Sequence, residues 1–534
     1  MMKKKKIISV FLLGALAVSG CIFKNDGEDQ EEPVRLTSVL EYGAIDEEIP
    51  EGTTPENNSF NRTAKERLNI EIEWLWSAAE EQYRQKLNVA VATGNMPDFM
   101  AVREGTAYRR MVEGNQIMPW NEVLEGAGET LKEWIYRNPQ VLEAVTNENG
   151  EIMALPQYWD TKRQVNIMMI RKDWLYELGL GVPETIDEFE KVAKAFQEKT
   201  GASQGIFLTH KALGRSVGSM SGLLHMSGSY PGAWIEQDGE LFPGEISEKT
   251  KEGLAVLNRF YEEGILDEEF PLCDYNKLRQ EVLEERLGIV IAPFWEFDSL
   301  IGREIAKNQD SRWITAPIPV AKGTKGAVMD TVSIEKYWVI NRNCENPEAV
   351  MDLFNLFVEL ETDYPKEARA ENGFIWEWTA AHYFDPYDID EMYEAFHGRI
   401  DAGDLVSPPD VSNRLLSYWE DCEDYYRWKE GGGSYSPDNE WGIFLARVDE
   451  DGAWATVRNL VREGKYELNR YYGLPTDVMN ARKDILDKMT EETFTKMVMG
   501  ELPIEQFDEY RRKWMELGGE ELIEEVNAWS RNNQ

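Results

Sequence analysis

Cysteine and histidine are scarce in this chain, four of each in 534 residues. Beyond the N-terminus only Cys273, Cys344 and Cys422 remain, so at most one disulfide can form and no disulfide framework holds the fold. The histidines, His210, His225, His382 and His397, show no metal-ligand spacing with one another or with cysteine, and neither metal nor cofactor is expected. No phosphate loop and no G-x-S-x-G elbow occurs, so the motifs give no sign of an enzyme. Basic residues are outnumbered as well, 57 against 98 acids, for a formal net charge of −41. That excess of carboxylate repels phosphate backbones, which excludes nucleic acid as a partner. Past the first twenty residues no run is long and apolar enough to span a bilayer.

The first twenty residues have a different composition. Lys3 to Lys6 form a basic patch, Ile7 to Val18 an apolar run of twelve, and Val18-Ser19-Gly20-Cys21 follows. This pattern is that of a secretory signal, and its end resembles the lipobox of bacterial lipoproteins, where the cysteine thiol is lipidated. Cys21 is therefore the expected lipidation site, with residues 1–20 removed and residues 21–33 a polar tether. The protein is expected on the extracytoplasmic face of a bacterial cell membrane, held there through the lipid anchor alone. Two acyl chains hold durably where one holds marginally.

The remaining chain alternates strands with helices. Val34 to Val39, Ile70 to Trp76 and Met96 to Val102 read as strands, with helices over Asn61 to Leu68 and Tyr83 to Ala92 between them. That βαβαβ order predicts a parallel, helix-covered sheet. The grammar restarts with a strand over Arg163 to Ile170 and a helix over Lys172 to Leu178. Thr185 and Glu188 then make a capping box for a helix carrying Phe189, Val192, Ala193 and Phe196. Ser333 to Ile340 reads as a further strand, Asn346-Pro347 opens a helix, and three helices close the chain.

Four segments, in order, carry a resemblance. They are Gly94-Asn95-Met96-Pro97-Asp98-Phe99, Glu151 to Pro156 with Ile170 to Leu175, Pro183 to Phe189, and Thr495 to Glu501 with Leu517-Gly518 after it. Together they resemble the bacterial extracellular solute-binding proteins, in the long lipoprotein branch that serves carbohydrate ABC importers. The resemblance implies a two-lobed periplasmic-binding-protein-like fold of type II, each lobe a helix-flanked, mainly parallel sheet. On it, residues 34–160 plus 330–372 form lobe 1, and 161–329 plus 373–534 form lobe 2. It implies a monomeric, non-enzymatic receptor that captures an oligosaccharide by hinge closure and delivers it to ABC permease subunits. A same-fold surface protein that binds peptides, or senses without transport, is the alternative. Some relatives carry an acidic calcium loop after the third segment; Lys199 to Ile206 has no acidic ligand set, so no calcium is expected there.

Aromatics are abundant, with 18 Trp and 22 Tyr, and several stand beside Gly, Pro or acids rather than on periodic faces. A pyranose stacks its C–H face on an indole and needs polar groups at the ring edge. Tyr158, Trp159, Trp234, Trp295, Glu296, Trp376 and Trp378 are therefore the candidate ligand-binding residues. Asp98 is either an acceptor for a ligand hydroxyl or the cap of its own turn. Tyr158 and Trp159 are expected at the cleft floor, where the chain leaves lobe 1.

Overall fold

A computed structural model describes residues 32–42, 49–214, 217–308, 310–431 and 441–533. Cys21 and the segment before it lie outside the described residues. The first unit is the one the pattern predicts. Strand Val34–Glu41 pairs in parallel with Ile70–Ala78 across the helix Ser59–Leu68. Asn58 caps that helix by accepting from the Asn61 amide, and Asn69 ends it in the left-handed region. Gly94 stops the next helix, Glu80–Thr93, with φ 69°, a conformation that favours glycine.

Both lobes are α/β, but the sheets are mixed rather than mainly parallel. Among the described residues, two of the eight strand pairings are parallel and six antiparallel. The reason lies in the return strand Ile334–Asn341, which pairs antiparallel with Phe99–Val102, Ile117–Met118 and Leu155–Tyr158. A strand arriving more than 170 residues after its neighbours need not obey the βαβ rule that governs contiguous units. In a separate three-stranded sheet Asn166–Arg171 sits between Trp313–Ala316 and Ile289–Pro293, antiparallel to both. The strand expected from Arg163 starts three residues later. The Asp160 carboxylate accepts from the Lys162 amide and holds Thr161–Gln164 in a 3-10 turn.

Two apolar cores account for most of the packing. One gathers Leu36, Phe60, Phe99, Trp120, Trp338, Phe354 and Phe357, together with Phe374, Ala381 and Tyr383. The other gathers Met168, Ile170, Phe189, Phe196, Leu254 and Ile289 with Phe494, Tyr510 and Trp514 of the closing helices. The Thr185 capping box is present with both reciprocal bonds. Cys273, Cys344 and Cys422 are free thiols.

Three chain segments meet between these cores. The Trp159 amide donates to the Ser333 carbonyl at 3.0 Å, and the Asp160 amide to the Pro386 carbonyl at 3.1 Å. Arg137 reaches across to Asp385 at 3.4 Å and lies over the Tyr387 ring.

Candidate functional site

Two cavities open beside these crossing segments. The first, about 410 Å³, lies where strands Val34–Glu41 and Phe99–Val102 end, at the carboxyl side where α/β sheets place ligands. Glu41, Arg103, Lys336, Trp376, Glu377 and His382 are among its walls. The charges along it are already matched. Arg103 donates to Glu41 at 2.6 Å and to Glu335 at 2.7 Å, and Trp159 Nε1 donates to the second Glu335 oxygen at 2.6 Å. Burial pushes the Glu335 carboxyl up, but Lys336 and Arg103 outweigh it and hold the group below its ordinary range. Lys336 Nζ stands 2.9 Å from His382 Nε2, and burial holds its ammonium below the usual lysine range. Burial, then the charges of Lys336 and Arg103, hold the His382 imidazole well below its usual value.

An aromatic wall separates this cavity from the second. Trp376 lines both cavities and is 39% exposed. Its ring meets His382 at 5.7 Å and Phe384 at 5.6 Å, edge to face in both cases. Phe357 and Trp338 brace His382 from behind, again with ring contacts. The indole is thus held by its neighbours while part of its surface stays open.

The second cavity, about 480 Å³, is bounded by Glu361, Arg369, Glu371 and Phe374 on one side and by Arg414, Tyr418 and Arg447 on the other. Arg414 and Arg163 both donate to Asp388, and Arg447 donates to Asp298 at 2.9 Å. Burial raises the Asp388 carboxyl, yet Arg163, Arg414 and Arg447 together outweigh it and keep the group ionised. Close backbone approach puts Arg447 there. A Cβ on Gly302 would meet the Gly442 Cα at 2.9 Å, and one on Gly442 the Asp298 carbonyl oxygen at 2.8 Å.

The aromatics singled out by their sequence neighbours scatter over different environments. Trp159 stands at the crossing with its N–H spent on Glu335, stacked against Phe384 and covered by the Arg163 guanidinium at 4.1 Å. Tyr158 is fully buried and donates to the Trp134 carbonyl. Trp234 packs in the second core, and Trp378 is buried against Leu40 and Ile375. Trp295 packs on Phe294 and Glu296 accepts from Tyr275 at 3.0 Å, with burial pushing its carboxyl up; neither residue lines the two cavities. Asp98 accepts from both the amide and the hydroxyl of Thr37, at 2.7 and 2.6 Å, and so ties its turn to the first strand.

Several residues of the cavity walls were not read from the sequence. Arg103, Lys336, His382, Phe384, Arg369, Arg414 and Arg447 carry no motif. Phe384 does precede an Asp-Pro-Tyr turn, which is the signal used for the other aromatics. In the Lys199 to Ile206 loop, Gln197 donates to the Ser203 and Gly264 carbonyls and Ser203 to Asp267, so side chains brace that turn. Among the described residues no group of three or more His, Cys, Asp or Glu could hold a metal ion.

Comparison with known proteins agrees with this architecture. Lipoprotein LipO of Bacillus subtilis is 21% identical over 96% of both chains. The polygalacturonan/rhamnogalacturonan-binding protein YtcQ of the same organism is 26% identical over 42% of this chain and 43% of its own. The fructooligosaccharide ABC transporter substrate-binding protein FusA of Streptococcus pneumoniae is 21% identical over 55% of this chain and 58% of its own. Among solved structures, FusA with kestose superimposes with a TM-score of 0.61 at 14% identity, covering 94% of this chain and all of its own. The alginate-binding protein AlgQ2 without calcium gives a TM-score of 0.61 at 15% identity over 93% and 98% of the two chains. These likenesses establish the two-lobed fold. The family and FusA are both named for binding a solute or substrate, not for transforming one. The family profile matches residues 41–361, three-fifths of the sequence, and the chain belongs to the bacterial extracellular solute-binding proteins.

Proposed function

We propose that the protein is a lipid-anchored extracytoplasmic receptor that captures an oligosaccharide between its lobes by hinge closure and delivers it to an ABC permease. The observation that carries the reading is Trp376, a braced and partly open indole shared by two cavities of ligand size, with charged side chains at both rims. One ring stacks on such a face while the hydroxyls of neighbouring rings reach the polar walls. The relatives named for polygalacturonan and for fructooligosaccharides support a saccharide over a peptide.

The hinge belongs to the crossing of 158–161, 332–334 and 384–387, where few backbone bonds tie three strands of chain. The packing of Phe374, Ala381 and Tyr383 supports a first lobe that runs on through Tyr383. Trp159 acts at this crossing, beside the binding wall. The anchor is Cys21, and no helix of the described residues is long and apolar enough to cross a membrane.

Titration of tryptophan fluorescence with neutral and acidic oligosaccharides and with short peptides tests the reading. Saturable binding of a saccharide is expected; peptide binding with no response to any saccharide would sink it. Cys21→Ala should move the protein from the membrane to the soluble fraction, and retention after a salt wash would remove the anchor.

A further inference from the structure

Three guanidinium groups line the second cavity, and we infer that it receives a carboxylated saccharide unit, a uronate, rather than a neutral one. This rests on the saccharide-receptor reading and narrows it. The chain as a whole is strongly acidic, yet three arginines, Arg369, Arg414 and Arg447, line this one cavity, with Arg163 behind them on the same carboxylate. Asp388 serves Arg163 and Arg414 at once and faces Arg447 as well.

Each guanidinium carries five N–H donors. Glu361 forms an ion pair with Arg414 at 3.6 Å, longer than the Arg414 bond to Asp388, and burial pushes its carboxyl up. Three buried donors have no partner among the described residues: Nε of Arg163, Nη1 of Arg414 and Nε of Arg447. These three atoms are closed off from solvent, so the cavity meets Arg414 and Arg447 through the rest of their lining surface and Arg369 at its rim. Arg369 is exposed on the rim beside Glu371, which is exposed too.

The other cavity makes the contrast. There Arg103 is the one guanidinium of the lining and donates to both Glu41 and Glu335, while Lys336 lies beside Glu335 and His382. A hydroxyl accepts one such N–H; a carboxylate accepts two in parallel from the planar fork and offsets the charge. A uronate also keeps the apolar ring face, and Trp376 stands in the wall of the same cavity. The cations therefore override the repulsion of the acidic surface only where the ligand sits.

The test uses the mature protein and trimers of galacturonate, glucuronate, mannuronate and guluronate, each beside its methyl ester, together with neutral gluco-, galacto- and fructo-trisaccharides. Calorimetry is expected to show at least one acid trimer binding about tenfold more tightly than its ester, the worth of one charge-assisted contact. Arg369→Ala, at an exposed position, should weaken the acid about fivefold more than the ester. Arg447→Gln should do the same, with a melting scan to report its fold. If esters or neutral trimers bind as tightly as the acids, the uronate inference falls and the saccharide reading stands. If no saccharide binds at all, both fall.

Discussion

Trp376 and Trp378 lie in one short 3-10 turn, yet they belong to different parts of the molecule. Trp378 is 8% exposed and packs into a small core with Leu40 and Ile375, whereas Trp376 points into the wall between two cavities. The same residue type, two positions apart, is thus closed into a core in one case and left open to two cavities in the other. What separates them is the chain that covers each ring. His382 and Phe384 brace Trp376 by their edges and leave it accessible, while the first strand closes over Trp378.

The contrast can be broken by truncation. Trp378→Ala should cost about 3–5 kcal/mol of stability, as large-to-small changes in a core do, and a denaturant titration measures it. Saccharide affinity of the molecules that remain folded should hardly change. Trp376→Ala should do the reverse, losing tenfold or more in affinity, about 1.4 kcal/mol or above, with the melting temperature nearly unmoved. Equal losses of stability in both variants would make Trp376 a packing residue and remove the binding wall.

Asp98 extends the comparison to a polar group. Because its carboxylate already serves the Thr37 amide and hydroxyl, Asp98→Ala should cost about 1–2 kcal/mol of stability and leave affinity alone. A drop in affinity at unchanged stability would make it a ligand acceptor instead. The smallest effect concerns pH. His382 is held neutral in the folded protein, so below about pH 6.5 the unfolded chain takes up a proton that the folded one refuses. Stability should therefore fall with acid from that point by about 1 kcal/mol per pH unit from this group. His382→Gln, which keeps an acceptor for Lys336, should flatten the slope between pH 6.5 and 5; an unchanged slope would assign it to other groups.

Much of the fold was legible because its signals are local. The first βαβ unit follows from alternation in Ile70 to Trp76 and periodicity before it, and the Thr185–Glu188 box is complete within four residues. The closing helices keep Phe494, Tyr510 and Trp514 on buried faces, as their spacing predicts. Strand direction was less legible, since the return strand Ile334–Asn341 finds neighbours far behind it in the chain.

Of the residues named as ligand-binding candidates, Trp376 alone lines the two cavities. Aromatics beside Gly, Pro or acids pointed to a stacking wall, and Trp376 and Trp159 do come together around Phe384. Trp234, Trp378 and Tyr158 share that sequence context but are covered by packing. The arginines of the second cavity come from segments as distant as Arg163 and Arg447, and no spacing rule joins them.

By itself, then, the sequence determined composition, charge sign, element types and the ordered motifs of the family, all carried by residues near one another in the chain. Tertiary structure decided which ring stays open, which carboxylate is already spent and where the guanidiniums converge. Exposure and pairing depend on partners brought from elsewhere in the chain: Thr37 closes over Asp98 from 61 residues away, and Lys336 reaches His382 across 46. Those distances are set only when the first lobe packs around its sheet.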